Sequence, residues 1–162
     1  MKTKKFNLQT LFAILLMLAL FGPTPSVNAQ TAHSQTVKPV TVESKMDFDG
    51  TIEAVKKSVS GGGMMVLAEL NQGKILSMTG LQVKGHSFFV GNPNVGKEAF
   101  SADPSVGVVI PVRINVYEEN GKTFINYFKP SDLFASFDDK KVKMIGAKLD
   151  DKLQMMMKMI SK

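Results

Sequence analysis

The clearest signal along this chain is a change of period. From Val106 to Glu119 apolar and polar residues run in steps of two, Asn120-Gly121 interrupts them, and Lys122 to Phe128 resumes the alternation. Steps of two predict strands, and Asn-Gly between two such runs predicts a hairpin with a two-residue turn. That turn sets the register. Glu119 then faces Lys122, Tyr117 faces Phe124, Val116 faces Ile125, Asn115 faces Asn126, Ile114 faces Tyr127 and Arg113 faces Phe128. Ile110, Val112, Ile114, Val116 and Ile125 share one face, which is the expected core side. Arg113, Asn115, Tyr117, Phe124, Asn126 and Phe128 share the other. From Asp138 to Ile160 the step changes to three and four. Val142, Ile145, Leu149, Leu153, Met156 and Ile160 form one continuous stripe, the buried side of an amphipathic helix.

Shorter segments precede the hairpin. Val37 to Lys45 alternates around Val40 and Val42 and predicts a first strand. Asp47 or Asp49 is placed to cap a helix that reaches about Ser60, with Ile52, Val55 and Val59 on one stripe. Gly61-Gly62-Gly63 stops that helix, because glycine takes the left-handed conformation beyond a C-terminus without steric cost. Met64 to Leu70 predicts a second strand, and Asn71 to Thr79 has room for one short helical turn. His86 to Val90 predicts a third strand, ended by Gly91-Asn92-Pro93. Val95 to Ala102 predicts a short helix, ended by Asp103-Pro104. Strand, helix, several strands and a last helix in this order predict one α+β domain over residues 37–162, an antiparallel sheet with its helices on one face.

The first 29 residues do not belong to that pattern. Lys2, Lys4 and Lys5 precede an uncharged run from Leu11 to Phe21, then Gly22-Pro23-Thr24-Pro25, then Val27-Asn28-Ala29. This is the layout of a signal peptide cleaved after Ala29. The apolar run falls short of the about 20 residues needed to cross a bilayer. An exported protein, periplasmic or secreted, is therefore expected, with no membrane attachment after cleavage. Residues 30–36, with His33 among them, are expected to be a disordered leader.

Cleavage changes the charge. Removing 29 of the 162 residues leaves 133, and three lysines leave with them, so 17 basic residues stand against 14 acidic ones, a net +3. Arg113 is the single arginine. Phosphate-backbone recognition relies on arginine forks and a strong positive excess, so nucleic acid is not an expected partner. The absence of cysteine excludes disulfides, thiolate metal sites, a cysteine nucleophile and lipid attachment through an N-terminal cysteine.

One motif imitates a nucleotide site. Gly91-Asn92-Pro93-Asn94-Val95-Gly96-Lys97 fits the spacing of a phosphate loop between a strand and a helix. Glu98 stands where a magnesium-holding Ser or Thr is needed, and a carboxylate there repels phosphate. The chain that follows lacks the alternating strands and helices of such folds. The segment reads as a tight turn and a helix start.

Around these residues the chain resembles a known family, the one catalogued as domain of unknown function 302. The resemblance rests on Asp47-Phe48 and on Gly63 followed by Met64-Met65-Val66-Leu67-Ala68-Glu69. It continues in Gly80-Leu81, Gly91-Asn92-Pro93, Ile110-Pro111-Val112-Arg113, Val116-Tyr117-Glu118, Tyr127 and Pro130, and spans about Val42 to Ile160. It implies a β-α-β(4)-α arrangement like that of the TATA-binding protein, and no established activity. Many members carry Asp-His after the second strand, where this chain has Asn71-Gln72.

Three places carry candidate chemistry. The first is the outer hairpin face, where Arg113, Asn115, Tyr117, Phe124, Asn126 and Phe128 call for a covering partner. The cover is a helix or loop of the same chain, a second copy in a homodimer, or a small apolar or anionic ligand. Arg113 opposite Phe128 also suits a cation–π contact. The second is a pocket at strand ends near His86, Asn92 and Tyr127, beside Arg113, the one arrangement that would suit an enzyme. A lone histidine without a placed carboxylate is weak catalytic equipment. The third is a set of thioethers, Met144, Met155 and Met159, opposite the core stripe of the last helix; soft sulfur suits Cu(I), although methionines more often fill gaps or pad interfaces. No cofactor is expected. The sequence points to a non-enzymatic binding or interaction domain that self-associates through its aromatic sheet face, with ligand binding, copper handling or an uncharacterised enzyme as alternatives.

Overall fold

A computed structural model of the chain describes residues 36–162. The segment 1–29 expected to be a signal peptide, and all of the expected leader except Thr36, lie outside the described residues. Five strands form one antiparallel sheet: β1 (Val40–Glu43), β2 (Met65–Asn71), β3 (Gly85–Gly91), β4 (Val112–Glu119) and β5 (Lys122–Tyr127), in the order β1-β5-β4-β3-β2. Two longer helices are α1 (Phe48–Gly61) and α5 (Lys140–Ile160). Three shorter ones are α2 (Gln72–Ser77), α3 (Pro93–Ala102) and α4 (Pro130–Phe134), and a 3₁₀ turn spans Pro104–Val108. With the short helices set aside, the order is β-α-β(4)-α, an α+β fold.

The hairpin anchors this layout. Asn120 and Gly121 both have positive φ, 52° and 73°, the conformation that a two-residue turn needs to match the twist of its strands. Asn115, Val116, Tyr117, Glu118 and Glu119 pair with Asn126, Ile125, Phe124, Thr123 and Lys122. The expected pair Arg113–Phe128 lies beyond β5, which ends at Tyr127 before Pro130 opens α4. For the expected pair Ile114–Tyr127, the β4–β5 register stops at Asn115–Asn126, with Tyr127 paired to Val40 of β1. The long strand expected from Val106 begins only at Val112. Asp103 accepts from the Ser105 backbone amide and starts the 3₁₀ turn, and Pro111 has no N–H to give a ladder. Val106 still reaches the core from that turn, fully buried.

The helix ends follow local chemistry. Asp47 accepts from the Gly50 amide at the start of α1, and Asp139 accepts from the Lys141 and Val142 amides at the start of α5. α3 starts at Pro93, two residues before the expected start, because Asn92 caps it and proline at the first position loses no needed N–H.

All six stripe residues of α5 are buried, against Val55 and Val59 of α1 and against Phe88, Val90, Val112, Ile114, Val116 and Ile125 of the sheet. Each such side chain contributes about 1.5–3 kcal/mol by leaving water. The end of α5 is clipped to β1. The Lys45 amide donates to the Ile160 carbonyl, the Lys162 amide to the Glu43 carbonyl, and Lys162 Nζ donates to Glu43 Oε1 at 2.6 Å. That last bond, aided by Lys122, holds the Glu43 carboxyl below its ordinary range.

At the middle of α5, Ser131 of α4 donates through its amide and hydroxyl to the Asp150 carboxylate. α4 then packs close to α5 at Gly146, where a Cβ would stand 2.8 Å from Phe134 Cδ2 and 3.1 Å from its Cβ. Phe134 is fully buried and cannot swing away. Gly146→Ala is therefore expected to lower unfolding free energy by about 1–3 kcal/mol despite the better helix propensity of alanine, read from urea denaturation. A stabilised variant would show that α4 and α5 do not touch there.

Candidate functional site

Residues paired across a sheet share a face, so the ladder sorts the candidates. Ser87 pairs with Asn115, Phe89 with Arg113, Asn115 with Asn126, and Tyr117 with Phe124. These side chains stand on the outer face, away from α1 and α5. The six outer-face residues expected from the hairpin are thus brought onto one side: Arg113 and Phe128 are exposed, and Asn115, Tyr117, Phe124 and Asn126 are half-buried. β2 adds Met65 and Leu70 to that face, 53% and 39% exposed.

The centre of the face is polar. Arg113 Nε donates to Ser87 Oγ at 3.2 Å. Ser87 Oγ lies 3.1 Å from Asn115 Oδ1 and 3.2 Å from Gln72 Oε1, and its one hydrogen serves a single acceptor at a time. Asn115 Nδ2 donates to Asn126 Oδ1 at 3.1 Å. The hydrogen-bonded row runs across three strands and takes in the first residue of α2. Beside it, Pro39, Arg113, Asn115, Asn126, Tyr127 and Phe128 line a recess of about 250 Å³. Among the described residues no carboxylate pairs with Arg113, so its charge is unneutralised where it lines the recess. The cation–π contact expected between Arg113 and Phe128 is replaced by the bond to Ser87. Among the described residues, the cation over a ring is Lys84, 5.9 Å from the Phe48 centroid. Tyr117 and Phe124 stack at 5.4 Å on the same outer face.

The strand-end pocket does not assemble. His86 and Asn92 lie at opposite ends of β3, about 20 Å apart at strand rise, and Tyr127 belongs to β5. His86 pairs with Val116 on the inner face and packs on Phe88, centroids 4.7 Å apart. A carboxylate does stand beside it: Glu69 Oε2 is 3.0 Å from His86 Nε2, and Lys56 Nζ is 3.3 Å from the same oxygen. Glu69 is a diagonal neighbour across the β2–β3 ladder, and only the register places it there. Among the described residues no hydroxyl hydrogen-bonds to His86 or Glu69. Tyr127 is 7% exposed; burial raises its hydroxyl pKa, and the Asp150 charge adds to the shift. This is the environment of a packed phenol.

The phosphate-loop imitation is also explained. Asn92 Oδ1 accepts from the Asn94 and Val95 amides, the Gly96 amide donates to the Asn92 carbonyl, and Pro93 has no N–H. The amides that would cradle a phosphate are spent. Asn92 Nδ2 donates to the Gly63 carbonyl at 2.8 Å, which ties the α1–β2 turn to α3. Asn92→Ala is expected to cost about 0.5–2 kcal/mol of stability through the lost cap, read from the thermal midpoint, without changing self-association. Loss of association at unchanged stability would make Asn92 a functional residue.

The methionine set separates as well. Met155 and Met159 stand one turn apart on α5, but Met144 is eleven residues from Met155, about 16 Å along the helix. Lys152 Nζ lies near the first two and donates to the Gly62 carbonyl. Among the described residues no three histidine, aspartate or glutamate side chains converge. None of the described helices is long and apolar enough to cross a membrane.

Ser87 and Gln72 carry no sequence signal on their own. Asn71 caps α2, so the Asn71-Gln72 pair ends β2, starts a helix and sends one amide onto the outer face. A five-stranded antiparallel sheet with one helix-covered face and one open, arginine-bearing face defines the class of protein. The chain belongs to the family described as domain of unknown function DUF302, whose pattern matches residues 40–160. Among solved structures it is similar to an uncharacterised conserved DUF302 protein from Bacillus stearothermophilus. The two are 27% identical over 74% of this chain and 95% of that one, with a TM-score of 0.69. No curated protein matches the chain.

Proposed function

We propose that this protein is an exported, non-enzymatic binding domain that pairs with a second copy through the outer face of its sheet. The observation that carries this reading is the stacked, half-buried Tyr117–Phe124 pair, with Phe128 43% exposed on a face that neither α1 nor α5 covers. Aromatic side chains and arginine are enriched at interface centres, while the charges of Glu43, Glu119 and Lys122 stand at the turn end of the same face. Phe89, Met65 and Leu70 extend the apolar area towards the β2 edge. Export rests on the leader pattern of residues 1–29 and puts the protein in the periplasm or the medium. The non-enzymatic part rests on the scattering of His86, Asn92 and Tyr127 and on the structural partners that each has.

A second reading is favoured by one observation, the unneutralised Arg113 guanidinium beside two amides and Phe128 in the recess. These groups suit a small anion with an apolar body, such as an aromatic carboxylate, which a planar guanidinium recognises in two-point fashion. Both readings use the same face.

Phe124→Glu combined with Phe128→Glu separates them from an inert surface. The double variant is expected to melt as the wild type does and to weaken dimerisation at least ~100-fold, the scale of losing two interface anchors, in sedimentation equilibrium. Unchanged sedimentation would remove the self-association reading. Arg113→Gln is expected to abolish benzoate binding in calorimetry if the anion reading holds, and unchanged binding would remove it.

A further inference from the structure

On the opposite face of the sheet from Arg113, α3, α5 and the segment before β4 border a second concavity of about 210 Å³, open to solvent on one side. Val90 and Ala99 are fully buried lining residues, Leu149 of α5 closes one side, and Leu67, Phe100 and Ile110 stand around it. Leu67 is the extra residue of a bulge in β2, between Val66 and Ala68. A bulge re-aims a side chain, and Leu67 reaches across Gly91: a Cβ there would sit 3.1 Å from Leu67 Cδ1. Gly96 keeps the concavity open from the α3 side, since a Cβ at that position would meet nothing within 4 Å.

The polar inventory of this space is short and already used. Asn92 is the polar side chain in the lining. Its oxygen accepts from two α3 amides, its nitrogen donates to the Gly63 carbonyl, and its own carbonyl accepts from the Gly96 amide. A charged or hydrogen-bonding ligand would lose its water and gain no free side-chain partner. Leu67 and Phe100 are nevertheless 49% and 48% exposed at the rim, so an apolar occupant would take both from water. A cavity of about 150 Å³ with aliphatic and aromatic walls stays dry and holds benzene; this one is somewhat larger.

We propose that this concavity is a binding site for a small neutral apolar molecule about the size of a substituted benzene. It is independent of the outer-face reading, since it uses other residues on the other side of the sheet.

Toluene is the probe, added to the protein recovered from an exporting host and followed by NMR. The expected result is saturable shifts at Leu67, Val90, Ala99, Phe100 and Leu149, with benzoate at least about tenfold weaker at these residues because its charge finds no partner there. Gly96→Leu projects a side chain into the space and is expected to weaken toluene at least about tenfold while holding or raising the melting temperature. The proposal is overturned if toluene gives no saturable shifts, if the shifts map to Tyr117 and Phe124 instead, or if a folded Gly96→Leu variant binds as the wild type does. Should that variant fail to fold, the wild-type shift map decides alone.

Discussion

Asn120 and Gly121, both in the left-handed region, hold β4 and β5 in a single register, and everything else in the domain follows from it. Side chains on a strand alternate, so a slip of one residue would exchange the two faces. With the turn in place, Val112, Ile114, Val116 and Ile125 present an apolar surface on one side, while Arg113, Asn115, Tyr117, Phe124 and Asn126 stand on the other. The apolar side needs cover. α5 supplies it with an unbroken stripe over about five turns, and α1 fills the remainder with Val55 and Val59. The clip between Glu43 and Lys162 then ties the outermost strand to the last helix.

Covering one face leaves the other to water. The polar row from Arg113 through Ser87 to Asn115 and Asn126 is held together by hydrogen bonds between its own members. It tethers Arg113 through Nε at the edge of the recess that the side chain lines. Pre-set side chains lose less entropy on binding. An arginine tethered through Nε, on the same face as the stacked Tyr117 and Phe124, is therefore better suited to recognition than an untethered one would be. Inside the domain no buried side-chain nitrogen or oxygen among the described residues is left without a partner.

The sheet face was legible in the sequence because alternation and a two-residue turn are local signals. The α5 stripe and a cap at Asp47 or Asp49 were legible for the same reason, and Asp47 is the one that caps α1. Asn92 reads as the end of a strand until the structure shows it capping α3. What escaped depends on contacts between segments far apart in the chain. Glu69 meets His86 through the β2–β3 ladder, whose register is shifted by the bulge at Leu67. Ser87 and Gln72 enter the outer row by the same ladder. The start of β4 was misplaced because Val106, Val108 and Ile110 continue the alternation, while Pro104, Asp103 and Pro111 favour a tight turn there. The separation of Met144 from Met155 and Met159 follows from helix rise alone, whereas angle around the axis had grouped them.

Radical footprinting of side chains across a range of protein concentrations bears most directly on the outer face as the recognition surface. Tyr117, Phe124 and Phe128 are expected to lose reactivity together as concentration rises, while exposed Phe100 and Met144, off that face, keep theirs. Reactivity at the three outer-face rings that stays constant with concentration, or that falls equally at Phe100 and Met144, would contradict pairing through this face.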